Sequence, residues 1–369
     1  MLKVLHTGDL HLGIMHTTRN YPEELRQNLV QARLTTLARL VEQANQTSCH
    51  LFVIAGDLFN SHNVTKELVL ETIRILNRFT GACVAVLPGN HDFYTEMITL
   101  WQTFLDQAPE QIILLSQQKP YPLQDFGLDV VLYPAPCDRR HSATNRLGWL
   151  AELTEQPAGK WHLGVAHGTL RGISPDLDDS YFPMERDELL RTGLQHWFLG
   201  HTHSRYPDLE QTEETGFAYC GTPEPDGFDC SHSGYAWLTT FSDGKVLNQS
   251  LATGQYQFAE KSLEIRDLAA VEKFFTEIAA ETLLLKLSLT GRLPREEYQQ
   301  RAGLLKQCAT KVAYLEYDDS LLRMELSAAS IAAEFPVGSF PHLLLTSLAD
   351  AGDREALQLA YELVKKVKK

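Results

Sequence analysis

Five short segments of the chain place carboxylate, amide and imidazole side chains directly after an apolar run. They contain Asp9 and His11 in GDLHLG, Asp57 in AGDLF, Asn90, His91 and Asp92 in PGNHD, His167 in VAHG, and His201 and His203 in LGHTH. Oxygen and imidazole donors are the ligands that many divalent cations prefer. A lone GD or NHD segment is more often a turn, but five such segments in series favour a metal site.

Two of these segments carry donors two residues apart. Asp9 and His11 form one such pair, and His201 and His203 form the other. In extended backbone, residues i and i+2 project to the same side. Each pair is therefore expected to point into one volume, where it serves one ion or two.

The elements that would position these donors are predicted to be strands. Residues 3–6, 51–55 and 83–87 are apolar runs separated by segments of helical period, which is typical of βα units. Between residues 129 and 251 strands follow more closely, with one helix predicted near residues 147–153. The order favours an α/β fold in which two sheets pack face to face with helices outside both.

The remainder of the chain has a different pattern. Its length of 369 residues favours about two domains, and we expect a first domain at 1–252. Residues 253–335 predict a small α+β domain that ends in two strands, 312–317 and 321–326. Residues 336–369 predict a C-terminal helical segment with helices at 342–349 and 354–367.

Composition excludes several classes of protein. With 44% hydrophobic and 22% charged residues the chain should be globular, and no apolar run approaches the roughly 20 residues that span a bilayer. The N-terminal residues become polar too early for a secretion signal. Six scattered cysteines favour reduced thiols and a cytoplasmic location. A net charge of −14 argues against nucleic-acid binding unless positive charge is concentrated locally.

The five segments together resemble the calcineurin-like metallophosphoesterases, whose pattern DxH, GD, GNH(D/E), H and GHxH they match. The resemblance implies a four-layer αββα sandwich and two divalent ions that activate a hydroxide for attack on phosphorus. It implies that Asp9, His11 and His203 bind one ion, that Asn90, His167 and His201 bind the other, and that Asp57 bridges them. His91 then takes the position of the catalytic histidine, with Asp92 orienting it or capping the turn. Manganese is the expected metal, with iron, zinc or magnesium as alternatives.

Further details are similar to the SbcD/Mre11 branch of these enzymes, namely DLHLG, AGDLF, PGNHD, LGHTH and the later YCGTPEP. This resemblance implies a DNA exonuclease or endonuclease of double-strand-break repair with a C-terminal α+β capping domain. It also implies a homodimer and a coiled-coil ATPase partner of the SbcC/Rad50 kind. Two alternatives stay open at this point: a phosphodiesterase of a small nucleotide or lipid-linked phosphate, and a chiefly structural subunit.

Basic side chains in the loops after the metal segments are candidate DNA contacts. They are Arg19, His62, Lys66, Arg139, Arg140, Arg171 and Arg205. Bound cations would add positive charge at the same place. For each single residue, an ordinary solvated surface position is the alternative.

Two apolar surfaces are candidates for assembly. The helix around residues 68–79 offers Leu68, Leu70, Ile73, Leu76 and Phe79 for dimerisation, unless these residues only cover the sheet. The C-terminal helices offer Leu343, Leu344, Leu348, Leu357, Leu359 and Leu363 for an ATPase partner. The competing interpretation is that these helices pack back onto the preceding domain.

Overall fold

A computed structural model describes residues 1–175, 179–213, 216–242 and 244–367. The chain divides into two units, Met1–Phe258 and Ala259–Lys369, and each is described by itself. Among the described residues, no helix is both long enough and apolar enough to cross a bilayer.

The first unit contains thirteen of the described strands and four of the described α-helices. The strands are β1 (Leu2–Thr7), β2 (Leu51–Ala55), β3 (Cys83–Leu87), β4 (Ile112–Leu114), β5 (Tyr121–Pro122), β6 (Val130–Ala135), β7 (Trp161–His167), β8 (His196–Gly200), β9 (Arg205–Tyr206), β10 (Gln211–Thr212), β11 (Gly216–Cys220), β12 (Tyr235–Ser242) and β13 (Lys245–Ala252). The helices are α1 (Glu23–Gln46), α2 (Lys66–Leu76), α3 (Thr99–Gln107) and α4 (Arg186–Arg191), with 3-10 helices at Gln124–Phe126 and Gly148–Glu152.

The strands form two sheets. One has the order β10-β13-β12-β1-β2-β3-β4 and the other β5-β6-β7-β8-β11-β9. Strands β1 to β4 run parallel, as do β6, β7, β8 and β11. The carboxyl ends of the strands that precede the five predicted metal segments therefore lie at one edge of each sheet, which is where loops can converge.

Alternation along the strands produces the layers. In β1, Val4 packs between the two sheets, whereas Leu5 packs with the helices outside the first sheet. In β2, Val53 likewise packs between the sheets and Ile54 packs with the helices. Side chains alternate because the strand period is two residues. A separate cluster, which includes Leu189 of α4, covers the outer face of the second sheet. The predicted four-layer arrangement of helices, two sheets and helices is confirmed.

Helix α2 contributes to this core. Ile73, Leu76 and Phe79 are buried with the helices that cover the first sheet, while Leu68 and Leu70 are half-buried. Three of the five residues proposed for a dimer surface therefore cover the sheet, in agreement with the alternative interpretation of this helix.

A helix lies at the predicted residues 147–153, but it is of the 3-10 type. The structure has a 3-10 helix at Gly148–Glu152. Leu147, Leu150 and Leu153 all pack on the second sheet, and their spacing of three residues matches the 3-10 period rather than 3.6.

The second unit is built on one three-stranded sheet with the order β14-β15-β16. Its elements are β14 (Gln257–Ile265), which begins at the unit boundary, α5 (Leu268–Ile278), β15 (Ala280–Leu293), α6 (Arg295–Cys308), a 3-10 helix at Ala309–Lys311, β16 (Val312–Met324), α7 (Ala328–Glu334), α8 (Phe340–Asp350) and α9 (Arg354–Val367). Helices α5 and α6 pack on the sheet through Phe275 and Leu305. A second cluster joins α7, α8 and α9 through Phe335, Leu345 and Leu357.

Two details of this unit differ from the sequence prediction. The two strands predicted at 312–317 and 321–326 are one continuous strand, β16, whose pairing with β15 shifts register after Asp318. A bulge absorbs the extra polar residues without ending the strand. Helix α7 was not predicted, because its alanine-rich turn lacks a clear apolar period.

Candidate metal centre

The seven predicted ligands follow the carboxyl ends of five parallel strands. Asp9 and His11 follow β1, Asp57 follows β2, Asn90 follows β3, His167 ends β7, and His201 and His203 follow β8. The first three strands belong to one sheet and the last two to the other. The donors thus meet where the two sheets open at the same edge.

The backbone at these strand ends is unusual. Asp9, His11, Asp57 and His201 have φ values of 51°, 46°, 50° and 101°, a region that non-glycine residues seldom adopt and that clusters at functional sites. A Cβ on Gly56 would lie 2.1 Å from Nδ1 of His167. Glycine at this position therefore lets the β2 loop approach the imidazole.

Asp57 lies between histidines from different sheets. Its Oδ2 is 3.6 Å from Nε2 of His11 and 3.5 Å from Nε2 of His167, while its Oδ1 accepts a hydrogen bond of 2.9 Å from the His91 amide. Ligands that share one ion at about 2.1 Å lie roughly 3 to 3.5 Å apart. Asp57 is therefore spaced to share an ion with each histidine.

On one side of Asp57 stand His167, Asn90 and His201. The Nδ1–H of His167 donates to the Ala55 carbonyl at 2.8 Å, which leaves a lone pair on Nε2 of the neutral ring. That nitrogen faces Oδ1 of Asn90 at 2.9 Å, and Nδ1 of His201 lies 3.3 Å from the same oxygen. A cation between His167 and Asn90 would take the place of a proton on Nε2 of His167 and would be bound by both side chains.

On the other side stand Asp9, His11 and His203. Nε2 of His11 and Nε2 of His203 are 3.1 Å apart, and both carboxylate oxygens of Asp9 accept from the His201 amide. Asp9, His11 and His203 bring donor atoms within 4.8 Å of one another, as do Asp9, Asp57 and His167. Among the described residues, Nδ1 of His11 is buried without a hydrogen-bond partner. The donor set fits two divalent ions.

The electrostatics of the centre favour added positive charge. Burial alone would lower the pKa of His167, but the Asp57 and Asp9 carboxylates and the Ala55 carbonyl together outweigh burial and raise that pKa to about 9. Burial would raise the pKa of Asp57, yet His167 holds it well below its usual range. Burial raises the pKa of Asp9 and lowers that of His11. The buried carboxylates stabilise a proton on the imidazole of His167. A metal ion can take the place of that proton and supply the same positive charge.

His91 lies at the edge of this centre. Its ring packs edge-on against His11 with centroids 4.8 Å apart, and its Nδ1–H donates to the Asn60 carbonyl at 3.1 Å. Nε2 is thereby left for the cavity. The role of His91 as a proton donor to a leaving group stays a prediction.

The hydrogen bonds of Asp92 favour the second of its two predicted roles, which is to cap the turn rather than to orient His91. Its carboxylate accepts hydrogen bonds from the amides of Phe59 and Gly89, at 2.9 and 2.7 Å. Burial, followed by the charge of Asp57, raises the pKa of Asp92 to about 7. Asp92 therefore ties together the loops after β2 and β3, and the Asn60 carbonyl is what orients His91.

A cavity of about 420 Å³ opens beside the cluster. Asp57, Asn90, His91, His201 and His203 line it, together with Pro175, Tyr181, Thr202, Ser204, Asp229 and Cys230. The Tyr181 ring lies 5.0 Å from that of His201. A phosphoester in this cavity would contact the predicted metal ligands and His91 together.

Most of the basic residues predicted to contact DNA interact with other side chains or carbonyls of the protein. Arg171 pairs with Asp179 and Glu185, and Arg205 pairs with Asp208 and Glu210. Arg139 pairs with Asp138, and Arg19 stacks on the ring of Phe228. His62 forms a hydrogen bond with the Phe93 carbonyl. Lys66 and Arg140 are exposed. The rim is therefore less positive than the sequence suggested, because acidic neighbours offset its arginines.

Three contributors were not identified from sequence. The Asn60 carbonyl holds His91, Asp226 lies 3.7 Å from Nδ1 of His203, and the buried Arg33 lies 3.6 Å from Asp226. Burial would raise the pKa of Asp226, but His203 holds it well below its usual range. A backbone carbonyl leaves no sequence signal, and Asp226 stands in a loop of turn residues, TPEPDG, where an aspartate is ordinary.

Residues 2–205, more than half of the chain, match the calcineurin-like phosphoesterase family, and the protein belongs to that family. It is 28% identical over 214 residues to the uncharacterized metallophosphoesterase YhaO of Bacillus subtilis (strain 168), over 55% of this chain and 49% of that protein. It is 23% identical over 312 residues to the DNA double-strand break repair protein Mre11 of Halobacterium salinarum, over 79% of this chain and 71% of that one. A subunit of the nuclease SbcCD of Escherichia coli (strain K12) is 27% identical over 286 residues, with 66% of each chain covered.

The chain thus spans about half the length of the Bacillus relative. The resemblance to the family seen in the five segments is confirmed, and the relatives are consistent with the Mre11/SbcD branch. Members of this family are metal-dependent hydrolases of phosphoesters that bind two divalent ions.

Proposed function

We propose that this protein is a DNA nuclease of the Mre11/SbcD type that hydrolyses phosphodiesters at the centre around Asp57. The observation that carries the proposal is the position of Asp57, whose Oδ2 lies 3.5 to 3.6 Å from Nε2 of His167 and of His11. These histidines come from different sheets, and each is accompanied by further donors.

The residues divide into two sets around Asp57. Asp9, His11 and His203 would hold one ion, Asn90, His167 and His201 the other, and Asp57 would contact both. When bound, two ions supply Lewis acidity to the phosphoryl oxygens and a lowered pKa to an attacking water. Manganese suits this mixture of carboxylate, amide and imidazole ligands.

The protein's own contribution to bond cleavage lies with His91. Because Asn60 accepts the Nδ1–H, the imidazolium form of His91 directs its second N–H into the cavity that Asp57 and Asn90 line. A proton delivered there neutralises the departing alkoxide as the P–O bond breaks. The proton returns to Nε2 from solvent before the next turnover.

DNA is the proposed substrate because two relatives at 23% and 27% identity are named as a DNA repair protein and as a nuclease. The alternative is a small phosphodiester, such as a nucleotide or lipid-linked phosphate. The ion pairs of Arg171 and Arg205 favour this alternative, since a paired arginine contributes less to the attraction of a polyanion.

Cleavage of labelled DNA in the presence of Mn²⁺ distinguishes the two substrates. Single-stranded and double-stranded DNA should be degraded, with turnover well above that of bis(p-nitrophenyl) phosphate, and Asp57→Ala should nearly abolish both activities. A protein that cleaves only the small diester supports the alternative substrate. A protein that cleaves neither supports a chiefly structural role.

We also propose two assembly states. The Escherichia coli relative is named as one subunit of the nuclease SbcCD, which supports a complex with a coiled-coil ATPase of the SbcC/Rad50 kind. A homodimer is proposed from the family resemblance, and light scattering at micromolar concentration should give twice the chain mass of 41.6 kDa. A monomer mass there would contradict it.

A further inference from the structure

The loop that follows β11 places a carboxylate behind one of the predicted metal ligands. Asp226 Oδ2 lies 3.7 Å from Nδ1 of His203, on the side of the ring away from His11. The side chain of Asp226 is only 14% exposed. It stands outside the set of residues assigned to either ion.

The backbone of His203 is fixed independently of this contact. Its carbonyl accepts hydrogen bonds from the Thr222 amide at 2.9 Å and from Nε2 of His232 at 2.8 Å. These bonds fix the backbone of His203, but they determine neither the tautomer nor the orientation of its imidazole ring. Asp226 is the carboxylate that faces the ring.

Asp226 is itself held from two sides. Cys230 donates its thiol proton to Oδ1 at 3.2 Å, and the guanidinium of Arg33 lies 3.6 Å from Oδ2. Arg33 is buried and is anchored by the carbonyls of Leu10 and Glu224, at 2.5 and 3.1 Å. The carboxylate is therefore fixed in place before any ion binds.

The position of Asp226 bears on which nitrogen of the His203 ring carries the proton. A neutral imidazole carries its proton on one nitrogen and its lone pair on the other, and an ion binds the lone pair. Nε2 of His203 faces the cluster, 3.1 Å from Nε2 of His11, so Nδ1 must carry the proton. A carboxylate beside Nδ1 stabilises that tautomer and makes Nε2 a stronger donor.

At the other ion site, the tautomer of His167 is set by a neutral group, a backbone carbonyl. Nδ1 of His167 donates to the Ala55 carbonyl at 2.8 Å. A carbonyl sets the tautomer without adding a formal charge, whereas Asp226 adds one. The two halves of the centre are therefore unequal.

We propose that Asp226 is a positioning residue that holds His203 with Nε2 directed at the ion bound by Asp9, His11 and His203, and that it selectively strengthens binding of that ion. The inference rests on the metal centre of the proposed function and deepens it. It assigns no contact between Asp226 and the substrate.

Metal titration followed by calorimetry tests the proposal. Wild-type protein should bind two Mn²⁺ ions, and Asp226→Asn should lose about 10- to 100-fold in affinity for one of them, the usual effect of losing such a partner. The other ion should bind unchanged. Asp187→Asn is the control, since Asp187 is an exposed acidic residue of α4 that pairs with Arg191 and does not line the cavity, and both Mn²⁺ affinities of this variant should equal those of the wild type.

Because Asp226 also contacts Arg33, the test must distinguish a purely structural role of Asp226 from a role in metal binding. Such a role predicts a lower melting temperature for Asp226→Asn with both Mn²⁺ affinities retained, and that result would overturn the proposal. Asp226→Glu, which retains the charge, should recover most of the lost affinity.

A measurement on the wild-type protein covers the case in which the variant fails to fold. Long-range ¹H–¹⁵N correlation spectra of the Zn²⁺-loaded protein, assigned with His203→Gln, should show the proton of His203 on Nδ1. A proton on Nε2 would overturn the inference. Two bound ions without cleavage of DNA would instead contradict the proposed substrate and leave this inference standing.

Discussion

At the scale of single residues, the centre depends on which nitrogen of each imidazole carries a proton. His167 and His91 each donate Nδ1–H to a backbone carbonyl, that of Ala55 or of Asn60. Each ring therefore directs Nε2 into the cluster or the cavity. In the proposed mechanism, this nitrogen of His167 offers a lone pair to an ion, and that of His91 transfers a proton.

His91→Ala tests the second of these roles. We expect both ions to stay bound and turnover on DNA to fall about 100-fold or more, since a general acid contributes on this scale. Bis(p-nitrophenyl) phosphate, whose leaving group needs little protonation, should lose much less. Steady-state rates on both substrates, with metal content by elemental analysis, provide the check. Equal losses on the two substrates would show that His91 does not donate a proton.

Asp92→Ala should act on stability rather than on proton transfer. The change leaves the buried amides of Phe59 and Gly89 without their acceptor, and each such amide costs about 1 to 3 kcal/mol. Urea unfolding should show a loss of about 2 to 6 kcal/mol, the sum of the two amides. The ratio of activities on DNA and on the activated diester should not change. A changed ratio at unchanged stability would restore the catalytic role first expected of Asp92.

At the scale of the elements, the sequence was informative where strand ends carry the chemistry. Asp9, Asp57 and His167 could be found because each follows an apolar run that forms a buried strand. Asp226 could not, because its contact with His203 joins two loops. At residues 147–153 the apolar pattern predicted a helix but did not identify it as a 3-10 helix.

Two buried histidines between the sheets predict a pH dependence of folding. Burial lowers the pKa of His6 and of His196 to about 3, and both ring nitrogens of His196 are without a hydrogen-bond partner among the described residues. The unfolded chain binds a proton at each ring near pH 6.5 and the folded protein does not. Stability must therefore fall as the pH decreases from about 6.5 towards 3.

His196→Leu isolates one of these groups. Between pH 7 and pH 5 the wild type should lose roughly 2 kcal/mol more than the variant, since one pKa unit corresponds to about 1.4 kcal/mol. Urea unfolding at both pH values measures the difference. The exposed His141→Leu is the control and should follow the wild type. Parallel pH dependence of wild type and His196→Leu would contradict the assignment.

At the scale of the whole molecule, the C-terminal helices divide their apolar residues between core and surface. Leu345 and Leu357 are buried with α7, whereas Leu343, Leu359 and Leu363 are exposed. An apolar groove of about 450 Å³ lies along α8 and α9 and is lined by Phe335, Pro336, Ser339, Phe340, Pro341, Leu363, Val364 and Val367. The buried residues agree with the interpretation that these helices pack within their own unit, and the groove is the surface that we propose for the ATPase partner.

Leu363→Lys tests that surface without disturbing the core, since Leu363 is 54% exposed. Co-purification with a coexpressed ATPase of the SbcC/Rad50 kind should be lost, while the melting temperature and activity on the small diester are retained. Leu359→Lys is the matched control, because Leu359 is exposed but does not line the groove. Complex formation that survives Leu363→Lys would place the partner elsewhere.

The central claim is that two ions bind on either side of Asp57. Anomalous diffraction at the manganese edge from Mn²⁺-soaked crystals tests it most directly. Two peaks are expected about 3.5 to 4 Å apart, the separation usual for two-metal sites. One should lie beside Asp9, His11 and His203 and the other beside Asn90, His167 and His201. A single peak, or two peaks that do not both contact Asp57, would contradict it.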